Sequence, residues 1–213
     1  MRVLVVEDND FTRMTLSGAL VNAGLEVVGE TGSAAEAIRI ARRRAPEAAM
    51  LDLDLGAGPS GIDLAVELRS AMPSIGLVIL SSYEDPRLTG RNVSHMPADV
   101  VYAVKGKTGD ARQLADLLET SVALARGEGD ATVGPESVRV SLTDAQIDVM
   151  RLIADGMSNA QIAAARFVSE SSVERIIGRI SAELAIPADA GNRRVLIARE
   201  YLRMTGGVPS RDE

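Results

Sequence analysis

The chain has 213 residues, 46% of them apolar and 2% aromatic, with no cysteine and a formal net charge of −7. That apolar content excludes wholesale disorder, the missing cysteine excludes a disulfide framework or a thiolate metal site, and no apolar run nears the roughly 18 residues of a membrane span. The N-terminus, MRVLVVED, meets acidic residues too early for a signal peptide, so the expectation is a soluble cytoplasmic protein of one or two domains. Charge is unevenly spread. Residues 1–125 carry twelve basic and seventeen acidic side chains, whereas 141–205 carry eight of each. No segment has the basic excess of an obvious nucleic-acid binder.

Strand and helix signals alternate through the first half. Val3–Val6 is a β-branched run that reads as a buried parallel strand. Thr12–Ala23 follows a helical pattern, with Gly24 as its C′ residue, and Leu25–Val28 is a second strand. Ser33 and Glu36 form a capping box that opens a helix running to Arg44, and Pro46 ends it. Ala48–Leu53 is the third strand, Ile62–Ala71 a helix, Gly76–Leu80 the fourth strand, Val100–Val104 the fifth and Asp110–Ala125 a helix. Such alternation predicts an α/β fold with a doubly wound, five-stranded parallel sheet. Asp85–Asp99, with two prolines and a glycine, reads poorly as a helix. The stretch RGEGDATVGPES, residues 126–137, lacks apolar period and reads as a linker.

Beyond it only helices are expected. Thr143 with Gln146, and Ser158 with Gln161, are capping boxes, and Ser169 is a further N-cap. Gly156 closes the first helix, Pro187 stops the third, and a fourth runs from after Asn192 to about Met204. This is a helix-turn-helix pattern in an all-α second domain. The division expected is 1–125, a linker 126–140, a helical domain 141–205 and a tail 206–213.

In an open parallel sheet, ligands bind beyond the carboxyl ends of the strands at the switch in strand order. The first strand ends in Glu7 and Asp8, the third in Asp52, the fourth in Ser81 and Ser82, and the fifth in Lys105. Hard oxygen ligands of this kind suit Mg²⁺, which would offset the repulsion among the acids. Lys105 and Ser81 are then placed to hold a phosphoryl group while Asp52 attacks it as a carboxylate nucleophile. The plainer alternative is a set of solvated loop acids. Asp52 and Asp54, one residue apart, leave open which of them is used, or whether both are.

The set VVEDN, MLDLDL, LSSYED and VYAVKGK resembles the receiver domain of two-component response regulators, over about residues 1–125. The resemblance implies a flavodoxin-like fold, Mg²⁺ held at Glu7, Asp8 and Asp52, and phosphate taken from a histidine kinase by Asp52 rather than Asp54. It implies that Asp54 offers its backbone carbonyl to the metal and influences the lifetime of the acyl phosphate. It also implies Tyr102 and Ser81 as switch residues, and Ser82 as a small neighbour that leaves room for the phosphoryl group. Two stretches depart from the family pattern. GAGPSG follows the acceptor where a shorter loop is usual, and Asp85–Asp99 replaces the fourth helix. Both fall on faces the family uses for kinase docking and dimerisation.

In VSESSVERIIGRISAEL, the residues Val173, Ile177, Ile180 and Leu184 recur at helical spacing and predict one stripe facing a core. Ser172, Glu174, Arg175, Gly178 and Arg179 then face outward, with Ile176 at the edge. In a helix-turn-helix that outward face enters the major groove, though an ordinary helical bundle would show the same pattern. The stretch LTDAQIDVMRLIADGMSNAQIAAARFVSESSVERIIGRI resembles the output domain of LuxR-type (NarL/FixJ) transcription regulators, over about 141–204. The resemblance implies DNA contacts at Ser172, Glu174, Ile176 and Arg179, and the outward direction adds Arg175. Glu174 stands where the family commonly has Lys, and Ile176 where it often has His.

The expected protein is therefore a non-enzymatic, phosphorylation-controlled transcription regulator. Its expected partners are a sensor histidine kinase, double-stranded DNA and a second copy of itself on activation. The alternative is an adaptor whose helical domain binds a protein partner instead of DNA.

Overall fold

The computed structural model describes residues 1–90, 93–128, 140–187 and 189–207. The expected linker therefore lies outside the described residues from 129 to 139, and the expected tail from 208 onward. The chain forms two compact units, Met1–Ser81 with Val93–Val138, and Ser82–Asn92 with Arg139–Glu213. Ser82–Asn92, expected in the first domain, is grouped with the helices.

The first unit runs β1 (Arg2–Val6), α1 (Asp10–Asn22), β2 (Glu26–Thr31), α2 (Ala34–Arg44), β3 (Ala48–Asp52), α3 (Gly61–Ala71), β4 (Gly76–Ser81), β5 (Val101–Val104) and α4 (Ala111–Ala125). Its five strands lie in the order β2-β1-β3-β4-β5, every pair parallel. This is a doubly wound, flavodoxin-like sheet whose order reverses between β1 and β3. β3 and β4 are buried at every position, as expected for strands covered on both faces. Val3, Val5, Met50, Val78 and Leu80 join Leu20 of α1 and Leu118 of α4 in one core.

Local signals set the helix ends. Gly24 and Gly156 adopt φ of +84° and +82°, the left-handed conformation that closes a helix. Ser33 caps α2 through the Glu36 N–H, but the reciprocal half of the expected box is missing. The Glu36 carboxylate pairs instead with Arg39 and Arg43. A complete box that the sequence reading does not name, Ser60 with Asp63, opens α3. Among the described residues of 85–99 only a 3-10 turn, Pro86–Thr89, forms.

The helical unit contains α5 (Asp144–Ala154), α6 (Asn159–Ala165), α7 (Glu170–Glu183) and α8 (Arg193–Met204). Both expected capping boxes are complete, and Ser169 and Asn192 cap α7 and α8. Val173, Ile177 and Ile180 are buried. Leu184 is only half-buried, because α7 stops at Glu183 and Leu184 is its C-cap. No helix among the described residues is long and apolar enough to cross a membrane.

Candidate functional site

Strand register places the chemistry. Val6 pairs with Leu51, Asp52 with Leu80, and Ser81 with Val104. Glu7, Asp8, Asp52, Ser81 and Lys105 are therefore delivered to one edge of the sheet, beside the switch in strand order. Oxygens of Glu7, Asp8 and Asp52 lie within 4.8 Å of one another. Glu7 and Asp52 are 2% and 7% exposed, whereas Asp8 is open to solvent. The Lys105 ammonium stands 2.7 Å from Glu7 Oε2 and 3.1 Å from Asp52 Oδ1.

These groups perturb one another. Burial pushes the Asp52 carboxyl up to about 7; Lys105 opposes that rise and Glu7 adds to it. Burial alone would lower Lys105, but Asp52 and Glu7 hold it above its ordinary value. One ammonium among three carboxylates leaves the pocket short of positive charge. Its donors are hard oxygens, partly open to solvent, and they fit a small divalent cation such as Mg²⁺.

The neighbouring expectations divide. Asp54 does not join the carboxylate cluster: its Oδ1 accepts from Gly56 N at 3.2 Å, and its backbone N–H bonds the Asp52 carboxylate. Tyr102 is buried on β5, paired in register with Ile79. Ser81, at the end of β4, is 1% exposed. Ser82 belongs to the helical unit, where a Cβ on Gly206 would lie 3.1 Å from both its Cβ and its carbonyl oxygen.

Gly61 is a site residue that sequence reasoning missed. A Cβ there would sit 2.0 Å from the Asp52 carbonyl oxygen. Only glycine lets α3 start against the Asp52 backbone, where Gly61 N also donates to Leu53 O at 2.9 Å. The Ser-Gly-x-Asp order at the start of α3 carried the signal.

On α7, Glu174, Arg175, Gly178 and Arg179 are exposed, and Ser172 and Ile176 are half-buried. Arg175 donates to Ser172 Oγ at 3.0 Å, and neither Glu174 nor Arg179 forms an ion pair among the described residues. Arg194 of α8, which sequence reasoning did not single out, holds the start of α6 through Asn159 Oδ1 at 2.6 Å and the Met157 carbonyl. Asp148 of α5 pairs with Arg151 and with Arg166 in the turn before α7.

Residues 3–105 match the family model for the response regulator receiver domain, and residues 140–191 match that for bacterial regulatory proteins of the luxR family. The chain is 31% identical over 196 residues to the DNA-binding transcriptional activator DevR/DosR of Mycobacterium tuberculosis, spanning 87% of this chain and 89% of that one. It is 26% identical over 200 residues to the response regulator protein VraR of Staphylococcus epidermidis, spanning 87% and 91%. A solved RcsB–DNA complex is similar in fold, with a TM-score of 0.57 at 19% identity, spanning 96% of this chain and 98% of that one. The chain belongs to the two-component response regulators that join a receiver domain to a LuxR-type DNA-binding domain. It is thus a regulator of transcription in phosphorelay signalling.

Proposed function

We propose that Asp52 is the phosphoacceptor, that a sensor histidine kinase is its donor, and that its modification controls binding of double-stranded DNA by a homodimer. One observation carries the reading: Lys105 bridges Asp52 and Glu7 inside a cluster of three carboxylates. An Asp52 oxygen forms a bond to phosphorus while the bond from phosphorus to the donor's histidine nitrogen breaks. Lys105 favours the ionised, attacking form of Asp52 and then faces the transferred group together with Ser81. Glu7, Asp8 and Asp52 would hold Mg²⁺, which supplies positive charge between the attacking and transferred oxygens. Asp54 would add its backbone carbonyl to that cation and tune the lifetime of the acyl phosphate. Ser82 keeps bulk away from the group, and Tyr102 responds with Ser81 to its arrival.

The receiver is taken as 1–125, apart from Ser82–Asn92, which is grouped with the helices, the linker as 126–140, the helical domain as 141–205 and the tail as 206–213. On the helical domain, Ser172, Glu174, Arg175, Ile176 and Arg179 face the DNA. Asp52 takes the phosphoryl group onto the protein's own carboxylate, so the protein is read as a regulator rather than an enzyme, and its workplace as the cytoplasm. The test is labelling with acetyl phosphate, followed by binding to genomic fragments over a series of salt concentrations. Label that depends on Asp52, and DNA affinity that falls with salt and rises with label, supports the reading. A labelled protein that ignores DNA would move the helical domain to a protein partner.

A further inference from the structure

The helical unit is assembled from two separate stretches of chain. In the shorter one, Asp85 is fully buried, a position no carboxylate holds without partners. Asp85 accepts from the backbone N–H of Arg87 at 2.8 Å and of Val140 at 2.9 Å. It also accepts from the Arg87 guanidinium at 2.8 to 3.1 Å. That guanidinium, raised above its ordinary value chiefly by its bonds to Asp85, donates onward to the carbonyls of Leu142 and Val140 and to Asp144 at the start of α5.

A second anchor lies on α8. Tyr201 is 1% exposed and donates to the carbonyl of Leu88, which is itself fully buried, at 3.0 Å. Glu84 N donates to Met204 O at 2.8 Å, and Arg203 reaches the Glu84 carboxylate at 3.1 Å. Removing one member of a buried ion pair strands the other, so this stretch is not a loosely attached loop.

The stretch also follows β4 with no spacer. Ser81 is the last residue of β4 and of the first segment of the first unit, and Ser82 is the first residue of the second unit. We infer that Ser82–Gly90 is a structural part of the DNA-reading unit and the route by which phosphorylation of Asp52 reaches it. The inference rests on the phosphoacceptor reading above and adds to it. A change at Ser81 passes into the anchored residues of this stretch, because packed and hydrogen-bonded elements transmit displacement. The chain also crosses between the units after Asn92 and after Val138.

Hydrogen exchange on the full chain tests this, with acetyl phosphate and Mg²⁺ added and the phosphate counted by intact mass. In the parent, amides of 84–90 and of α8 are expected to change together on phosphorylation. Arg87→Met should still take phosphate but confine the change to the first unit. Tyr201→Phe is milder; it should speed exchange of 84–90 about fivefold, the loss of one hydrogen bond, and blunt the response of α8. If Arg87→Met does not fold, Tyr201→Phe decides. A flexible Gly-Ser insertion between residues 126 and 140 should leave the response intact. A phosphorylated parent with α8 unchanged overturns the inference, as does a full α8 response in both variants or a response lost on linker insertion. A parent that takes no phosphate overturns the acceptor reading and this inference with it.

Discussion

At Asp52 three influences compete: burial favours the neutral acid, Lys105 at 3.1 Å favours the carboxylate, and Glu7 opposes it. The ammonium thus favours the ionised form that the proposed attack by Asp52 needs. Asp52→Asn is therefore expected to abolish acyl-phosphate labelling, read by intact mass. Asp54→Asn should retain the label and change only its lifetime, because the Asp54 carboxylate is engaged by Gly56 N rather than by the cluster. Label that disappears in Asp54→Asn and survives in Asp52→Asn would reverse the assignment. Chelation of Mg²⁺, or Asp8→Ala, should block labelling in the parent and in Asp54→Asn. On α7, Arg179→Ala should weaken target binding by about 1–3 kcal/mol and relax discrimination at one base pair, as loss of a bidentate contact to guanine does. Arg175→Ala should weaken all sequences alike and flatten the salt slope. Equal binding by both variants and the parent, measured by titration over a salt series, would remove α7 as the reader.

Elements show the same logic through their caps. Asp63 lies below the ordinary carboxylate range, chiefly because the Ser60 hydroxyl bonds it, with the Ser60 N–H and His95 helping. A carboxyl whose folded value is below its unfolded one contributes stability that is full above the unfolded value, near 4. That contribution is lost as pH falls through the folded value. Asp63→Asn should thus be less stable than the parent at neutral pH, with the gap in urea midpoint closing on acidification below about pH 4. A gap that stays constant to pH 2.5 would mean that Asp63 caps α3 without its charge. Gly178 makes the opposite case: a Cβ there would meet nothing within 4 Å. Gly178→Ala should stabilise the helical unit by about 0.5–1 kcal/mol, seen as a higher melting temperature. Most helix starts were legible because a cap and its partner lie three residues apart. Ser60–Asp63 escaped because its cap residue sits in the glycine-rich GAGPSG and its partner is Asp where Glu or Gln is usual.

For the whole molecule, charge sets the terms of DNA binding. Region 141–205 carries as many acids as arginines, so one module gains little from counterion release. Two modules on adjacent half-sites gain through effective concentration. Phosphorylation is expected to shift the protein toward a dimer and sharpen binding to paired half-sites, read by light scattering and footprinting. A monomer in both states, protecting a single half-site, would rule this out.

The sequence by itself determined the strand–helix alternation, the cap residues, the set Glu7, Asp8, Asp52, Ser81 and Lys105, and the outward face of α7. Each of these follows from periodicity, neighbours within a turn, or the residue that ends a strand. Tertiary structure decided that the Asp54 carboxylate turns to Gly56, that Gly61 must lack a side chain against Asp52, and that Ser82 belongs with the helices. It also decided the fate of Asp85 and Arg87, which lie in a stretch that reads only as a poor helix. Asp85 bonds Val140, 55 residues away, and Arg87 bonds Leu142 at the same separation. A charged residue is buried only where partners meet it. Partners that distant become neighbours only when the chain has folded.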